Sequence, residues 1–267
     1  MSADLSGVAL VRQDLLAEQD DLDRVLSGQD TAIWERPTAS PRWSLADQIA
    51  HLAYFDATAA LAISDPDAFA SHKDQLIGSL ADPIAVENET LGAYREMAHT
   101  ELLAAWRKSR AELAEASATL ADDDRVDWYG PSMGAKSFLT ARLMECWAHG
   151  IDVRDAAGVE VQHSDRVRHI ARLGFITRGW SYMNRGREIP ETEVRVDLVA
   201  PSGATWSFGP LDVPDTVTGS AVDFCLVVTQ RRHVLDTDLA VTGSSASEWM
   251  EIAQAFAGPP TSGPDPR

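Results

Sequence analysis

Residues 143–155 read LMECWAHGIDVRD, and the fold assigned to the chain turns on this stretch. It lies inside a run from Ala135 to Ala157 that has no proline and is followed by Gly158, a pattern that predicts one helix closed by a glycine. On that helix Glu145 and His149 are four residues apart and share one face, about one turn from each other. Asp152 follows three residues later on the same side. A carboxylate and an imidazole so placed can reach one metal ion. Asp152 can accept the free ring N–H of a ligating histidine and fix its tautomer. Cys146 sits beside Glu145 but points about 100° away around the helix, so it reads as packing and not as a ligand.

A second histidine is placed by WSLADQIAHLAYFD, residues 43–56. Ser44 and Asp47 form a capping-box pair, which starts a helix that runs to about Ile63 and stops before Asp65–Pro66. His51 falls among Ile49, Ala50, Leu52 and Ala53, so it must find a partner inside the protein. His51, Glu145 and His149 together make a two-histidine, one-carboxylate set, which leaves an open position for water or substrate. The same spacing also fits an ordinary core histidine at 51 and a Glu145–Arg142 pair. Tyr54, Phe55 and Thr58 follow His51 by three, four and seven residues, and either line a pocket beside it or belong to the core.

Outward from these two segments, residues 7–28 carry apolar residues at helical spacing, and 84–120 read as a third long helix, interrupted or not. With the second and fourth helices they predict a four-helix bundle over 5–160. A connecting helix, Ser164 to Trp180, falls in 161–189. After Arg185–Pro190 the pattern changes to alternation. Strands are expected at 194–199, 205–208, 213–218 and 239–242. Ser220/Asp223 and Ser245/Glu248 are expected to cap two helices, one through Gln230 and one over 246–256. The segment 190–257 is thus a small α+β domain, 258–267 reads as a disordered tail, and the fold class is α+β.

The chain has 267 residues, 45% of them hydrophobic, and a formal charge of −18. That balance argues against nucleic acid and anionic membrane as partners. The longest strongly apolar run is Phe224–Val228, far too short to span a bilayer. With no signal-like N-terminus and two cysteines, Cys146 and Cys225, a disulfide-free protein in a reducing cytoplasm is expected, as monomer or homodimer. Residues 166–195 run against the acidic trend, with seven arginines to three acids. Most of these arginines are expected to neutralise nearby acids, and Arg178 is the one singled out for holding a carboxylate. The Asp122–Asp124 run reads as a solvated loop, and histidines 72, 99, 163, 169 and 233 as surface residues.

The segments WSLADQIAHLA (43–53) and MECWAHGID (144–152) resemble the mycothiol-dependent maleylpyruvate isomerase family, part of the DinB-like metal-binding four-helix proteins, and within it an actinobacterial branch. The resemblance covers residues 5–257. It implies a DinB-like bundle followed by an α+β domain of sterol-carrier-like character. It also implies a divalent metal, expected to be zinc, on His51, Glu145 and His149, and mycothiol as a thiol cosubstrate. The implied chemistry is isomerisation or S-transfer on a small, anionic, electrophilic substrate. The family's isomerase uses an arginine in its C-terminal domain. Arg231, in FCLVVTQRRH (224–233), is the nearest match, although Gln230–Arg231–Arg232 stands where the family pattern is closer to Gly-Arg. Read from the residues alone, Arg231 fits a helix-end arginine complementing the dipole equally well. On the implied reading Arg231 or Arg178 binds the substrate carboxylate and Asp152 orients a metal ligand. A thiol-independent hydrolase using metal-bound water, and a non-catalytic metal or small-molecule binding protein, are the alternatives.

Overall fold

In the computed structural model, which describes residues 7–79 and 83–267, the apolar periodicity of the first half becomes helix: α1 (Gly7–Ser27), α2 (Leu45–Ser64), α3 (Pro66–Ser79), α4 (Pro83–Arg95), α5 (His99–Ser117) and α6 (Ala135–Ala157). A two-stranded ribbon, β1 (Arg125–Val126) with β2 (Met133–Gly134), precedes α6. This unit ends at Glu160. Helices α1, α2, α5 and α6 form the four-helix bundle, with α3 and α4 laid against α2. The predicted capping box is present: the Asp47 N–H donates to the Ser44 hydroxyl and the Ser44 N–H donates to the Asp47 carboxylate. Gly158 closes α6 in the left-handed conformation, φ 71°.

Of the two readings left open for 84–120 the interrupted one holds: there are two helices, broken at 96–98, where the Glu101 carboxylate accepts the Ala98 N–H and starts α5 afresh. Helix α3 was not expected; most of residues 66–76 are exposed, with Phe69 and Leu76 buried. The Asp122–Asp124 loop does more than meet solvent, since Asp122 accepts the Val8 N–H at the start of α1.

The bundle core is aliphatic, built on Leu15, Leu22, Ile49, Leu52, Leu113, Leu139 and Leu143, with one carboxylate at its centre. Asp56 is 1% exposed, and it joins all four helices. Its Oδ1 accepts from Nε and Nη2 of Arg142 on α6, at 3.2 and 2.9 Å. Its Oδ2 accepts from Gln19 Nε2 on α1 at 3.0 Å and from Trp106 Nε1 on α5 at 3.2 Å. Arg142 is thereby engaged by Asp56, and the alternative Glu145–Arg142 pair does not form.

The second unit, Val161–Arg267, holds α7 (Val167–Ile176), α8 (Arg178–Met183), β3 (Val194–Val199), β4 (Thr205–Phe208), β5 (Asp215–Ser220), α9 (Ala221–Val228), β6 (Ala240–Thr242) and α10 (Ser244–Ile252). The single helix expected over 164–180 is split at Thr177, and both parts belong to this unit. The sheet order is β4-β3-β5-β6, antiparallel except for the parallel pair β3–β5. Val194, Val196 and Leu198 face inward, as their alternation predicts. Ser220 caps α9. Ser245 does not cap α10; Asp215 instead reaches across from β5 to accept the Ala246 N–H at 2.9 Å. Residues 258–267 have no helix or strand, yet they are tied down. The Asn184 amide donates to the Gly258 carbonyl at 3.0 Å, and Gln230 and Arg185 both donate to the Thr261 carbonyl. The class is α+β.

Removing one partner of a buried pair strands the other charge in the core, at a cost of about 3–5 kcal/mol. Asp56→Ala is therefore expected to destabilise the first unit by that amount, measured by urea unfolding. A second test is the acid limb of stability. On α1, burial alone would raise the Asp23 carboxyl. Hydrogen bonds from Arg107 and Ser27, with the nearby Arg110 charge, hold it below the usual carboxylate range. A depressed carboxyl stabilises the fold above its unfolded pKa, near about 4, and the contribution is lost as pH falls through the folded value. Asp23→Asn is expected to flatten the decline in stability below that pH.

Candidate metal centre

Helices α2 and α6 pack together and bring His51 against Glu145 and His149. Glu145 Oε2 lies 3.3 Å from His51 Nε2 and 3.1 Å from His149 Nε2, and the three donor atoms all fall within 4.8 Å of one another. Zinc–ligand bonds of about 2.0–2.2 Å in a tetrahedron separate neighbouring donors by roughly 3.3–3.6 Å. The observed spacing and the N, N, O donor set therefore fit a divalent ion. His149 is buried, whereas His51 and Glu145 are partly exposed, so the cluster is accessible from one side. Burial works to raise the Glu145 carboxyl, but its hydrogen bonds to His149 and His51 and their charges hold it well below the usual range.

Aromatic rings immobilise both imidazoles. The Trp43 ring stacks on His149, with centroids 6.0 Å apart, and is tilted against His51 at 5.3 Å. Phe55 packs on His51 at 4.5 Å. Phe55 thus lines the site, as one of its two expected readings held. Next to it Tyr54 and Tyr129 both meet His72 Nε2, at 3.0 and 3.1 Å, so His72 is a half-buried member of an aromatic cluster and not a surface residue. Burial pushes the Tyr54 phenol up, which keeps it neutral.

Asp152 sits behind His149, its Oδ2 3.9 Å from Nδ1, and accepts from the Ser40 hydroxyl at 3.4 Å. The close partner of Nδ1 is Gln48 Oε1, at 2.5 Å. Gln48 was missed in the sequence. The available signal was an amide three residues before His51, on the same face of α2.

Arg178 and Arg231 lie in the second unit. The Arg178 guanidinium is over the Tyr182 ring at 5.9 Å, and its Nε and Nη2 are buried with no hydrogen-bond partner among the described residues. Arg231 lies just beyond α9 and donates to the Thr229 carbonyl at 2.7 Å, the place a helix-end arginine takes. Elsewhere in the Arg-rich stretch, Arg187 pairs with Glu248 and Arg195 with Asp197, as local neutralisation predicts. Cys146 and Cys225 are free and buried, and burial pushes both thiols up. No helix among the described residues is long and apolar enough to cross a membrane.

Fold and site together define a class: a helical-bundle protein with a two-histidine, one-carboxylate cluster, continued by an α+β unit. Residues 15–154 match the family described as the mycothiol maleylpyruvate isomerase N-terminal domain, and the chain belongs to that family. Over 250 residues it is 42% identical to uncharacterized proteins from two strains of Mycobacterium tuberculosis, covering 94% of this chain and 96% of theirs. Among solved structures it is similar to the mycothiol-dependent maleylpyruvate isomerase, with a TM-score of 0.59, 21% identity, and 91% of this chain and 95% of that one covered. A mutant of that isomerase gives a TM-score of 0.57 at 19% identity, over 85% and 90% of the two chains. At these identities the structural likeness shows the fold.

The aromatic packing yields a prediction. Phe55→Ala removes the ring that packs on His51 at 4.5 Å. It is expected to leave the fold intact while broadening the His51 ring resonances, read by NMR of the histidine side chains. Unchanged resonances would contradict the role given to Phe55.

Proposed function

We propose that the protein is a divalent-metal-dependent enzyme, with zinc on His51, Glu145 and His149, that uses mycothiol for isomerisation or S-transfer on a small anionic electrophile. The observation that carries this reading is the donor cluster itself: three metal-type donors at ligand spacing, open on one side. The family and the names of the similar solved structures support the thiol. A bound divalent ion supplies Lewis acidity, which brings a thiol's pKa into the neutral range.

The chain's own residues do the rest. Glu145 contributes the one negative charge of the donor set. Trp43 and Phe55 hold the imidazoles in place and keep that side of the cluster dry. Asp152 acts at one remove, through Ser40 and Gln48. Arg178, whose buried Nε and Nη2 have no acceptor among the described residues, and Arg231 are proposed to take the substrate carboxylate by paired hydrogen bonds. Cysteines kept buried and free suit a reducing cytoplasm.

Two measurements test this. Metal analysis of the purified protein is expected to find about one divalent ion per chain, and Glu145→Ala is expected to lose it while staying folded. A wild type that neither holds nor takes up Zn²⁺, Fe²⁺, Ni²⁺ or Mn²⁺ would overturn the metal. With the metal in place, cis–trans isomerisation or thiol consumption is expected on electrophiles that carry a carboxylate beside an activated double bond. Metal-dependent turnover in thiol-free buffer would instead support hydrolysis.

A further inference from the structure

Gln48 has no exposed surface, and each of its polar contacts has a fixed direction. It lies on α2 beneath a short loop closed by the bridge between Pro37 and Ser44. In that loop the Thr38 hydroxyl donates its hydrogen to the Trp43 carbonyl at 2.9 Å. A hydroxyl has one hydrogen, so toward Gln48 Thr38 can only accept, and it does so from Gln48 Nε2 at 2.8 Å. The Ser40 hydroxyl donates to Asp152 Oδ2 and accepts from Gln48 Nε2 at 3.1 Å. Both hydrogens of the amide nitrogen are thus directed at the loop, which sets the orientation of the amide and turns Oε1 toward His149.

A carbonyl oxygen carries no proton. For Oε1 to stand 2.5 Å from His149 Nδ1, that nitrogen must be the donor. In a neutral imidazole with Nδ1 protonated, Nε2 holds the lone pair. Nε2 is the ring atom that faces Glu145 Oε2, at 3.1 Å, so the lone pair of this tautomer is turned toward the donor cluster, and a cation there takes the place of the proton shared with Glu145.

We propose that Gln48 is a positioning residue: it selects the Nδ1–H tautomer of His149 and so presents Nε2 as a metal donor. This rests on the metal reading above. Thr38 and Ser40 keep the amide from flipping, and a flipped amide would offer an N–H to Nδ1 and stabilise the wrong tautomer. Asp152 contributes through Ser40.

The test is Zn²⁺ affinity, measured by competition with a chromophoric chelator, for wild type, Gln48→Leu and Gln48→Glu, each checked for folding by circular dichroism. Alongside it, ¹H–¹⁵N spectra of the Zn²⁺-loaded proteins follow the His149 Nδ1–H. Gln48→Leu keeps the volume and removes the acceptor. It is expected to bind Zn²⁺ about 10–100-fold more weakly and to lose the exchange-protected Nδ1–H. Gln48→Glu keeps an acceptor and is expected to retain the affinity and the protected proton. Should Gln48→Leu fail to fold, Thr38→Val, which leaves the core intact and frees one amide hydrogen, is expected to weaken binding in the same direction by less. Equal weakening in the Leu and Glu variants would mean a packing role and overturn the proposal, as would Leu binding as tightly as wild type. A wild type that binds no Zn²⁺ overturns the metal reading and this proposal with it.

Discussion

A single buried carboxylate sets the geometry on which the rest of the first unit depends. Asp56 takes hydrogen bonds from Arg142, Gln19 and Trp106, and so ties α2 to α6, α1 and α5 at one point. A buried ion pair is a poor source of net stability, because desolvating both charges offsets most of their attraction. As a constraint it is strong: any slip of α2 against α6 breaks bonds that no water can replace. Asp56 is five residues after His51, and Arg142 is three before Glu145. The pair therefore fixes the register of the two helices that carry the metal-type donors. The 3.1 and 3.3 Å separations around Glu145 follow from that register.

The local part of this arrangement was legible in the sequence. Glu145 and His149 had to share a face once 135–157 was a helix, and Ser44 with Asp47 had to start α2 once both were free to bond backbone. Each of these depends on neighbours within one turn. The family resemblance supplied what spacing left open, namely that His51 joins them. Gln48 was not legible as an orienting group, because its role depends on Thr38 and Ser40, which reach it only when the 37–44 loop folds back. Asp152 has the spacing to reach His149, and its Oδ2 lies 3.9 Å from Nδ1, but Gln48 Oε1 is nearer at 2.5 Å. The split at Thr177 was hidden, whereas a break within 84–120 was left open and only its place, 96–98, had to come from the structure. Ser245 failed as a cap for a tertiary reason: Asp215 on β5 reaches the Ala246 N–H first.

The acidic balance of the chain takes on a finer meaning in the structure. Much of the charge on the bundle is matched locally: Asp23 meets Arg107 and Arg110, and Asp47 meets Arg95. Glu145 differs, because its partners are two imidazoles, and it is held ionised by groups that are themselves donors to a cation. In the second unit Arg187 and Arg195 of the Arg-rich stretch pair with Glu248 and Asp197, whereas the buried Nε and Nη2 of Arg178 have no hydrogen-bond partner among the described residues.

The central claim is that His51, Glu145 and His149 form one metal centre, and X-ray absorption at the zinc edge of the protein loaded with Zn²⁺ tests it most directly. The expected spectrum has a first shell of nitrogen and oxygen only, at about 2.0–2.1 Å, with the outer-shell scattering of two imidazole rings. A shell containing sulfur from Cys146 or Cys225, or one without imidazole scattering, would contradict it.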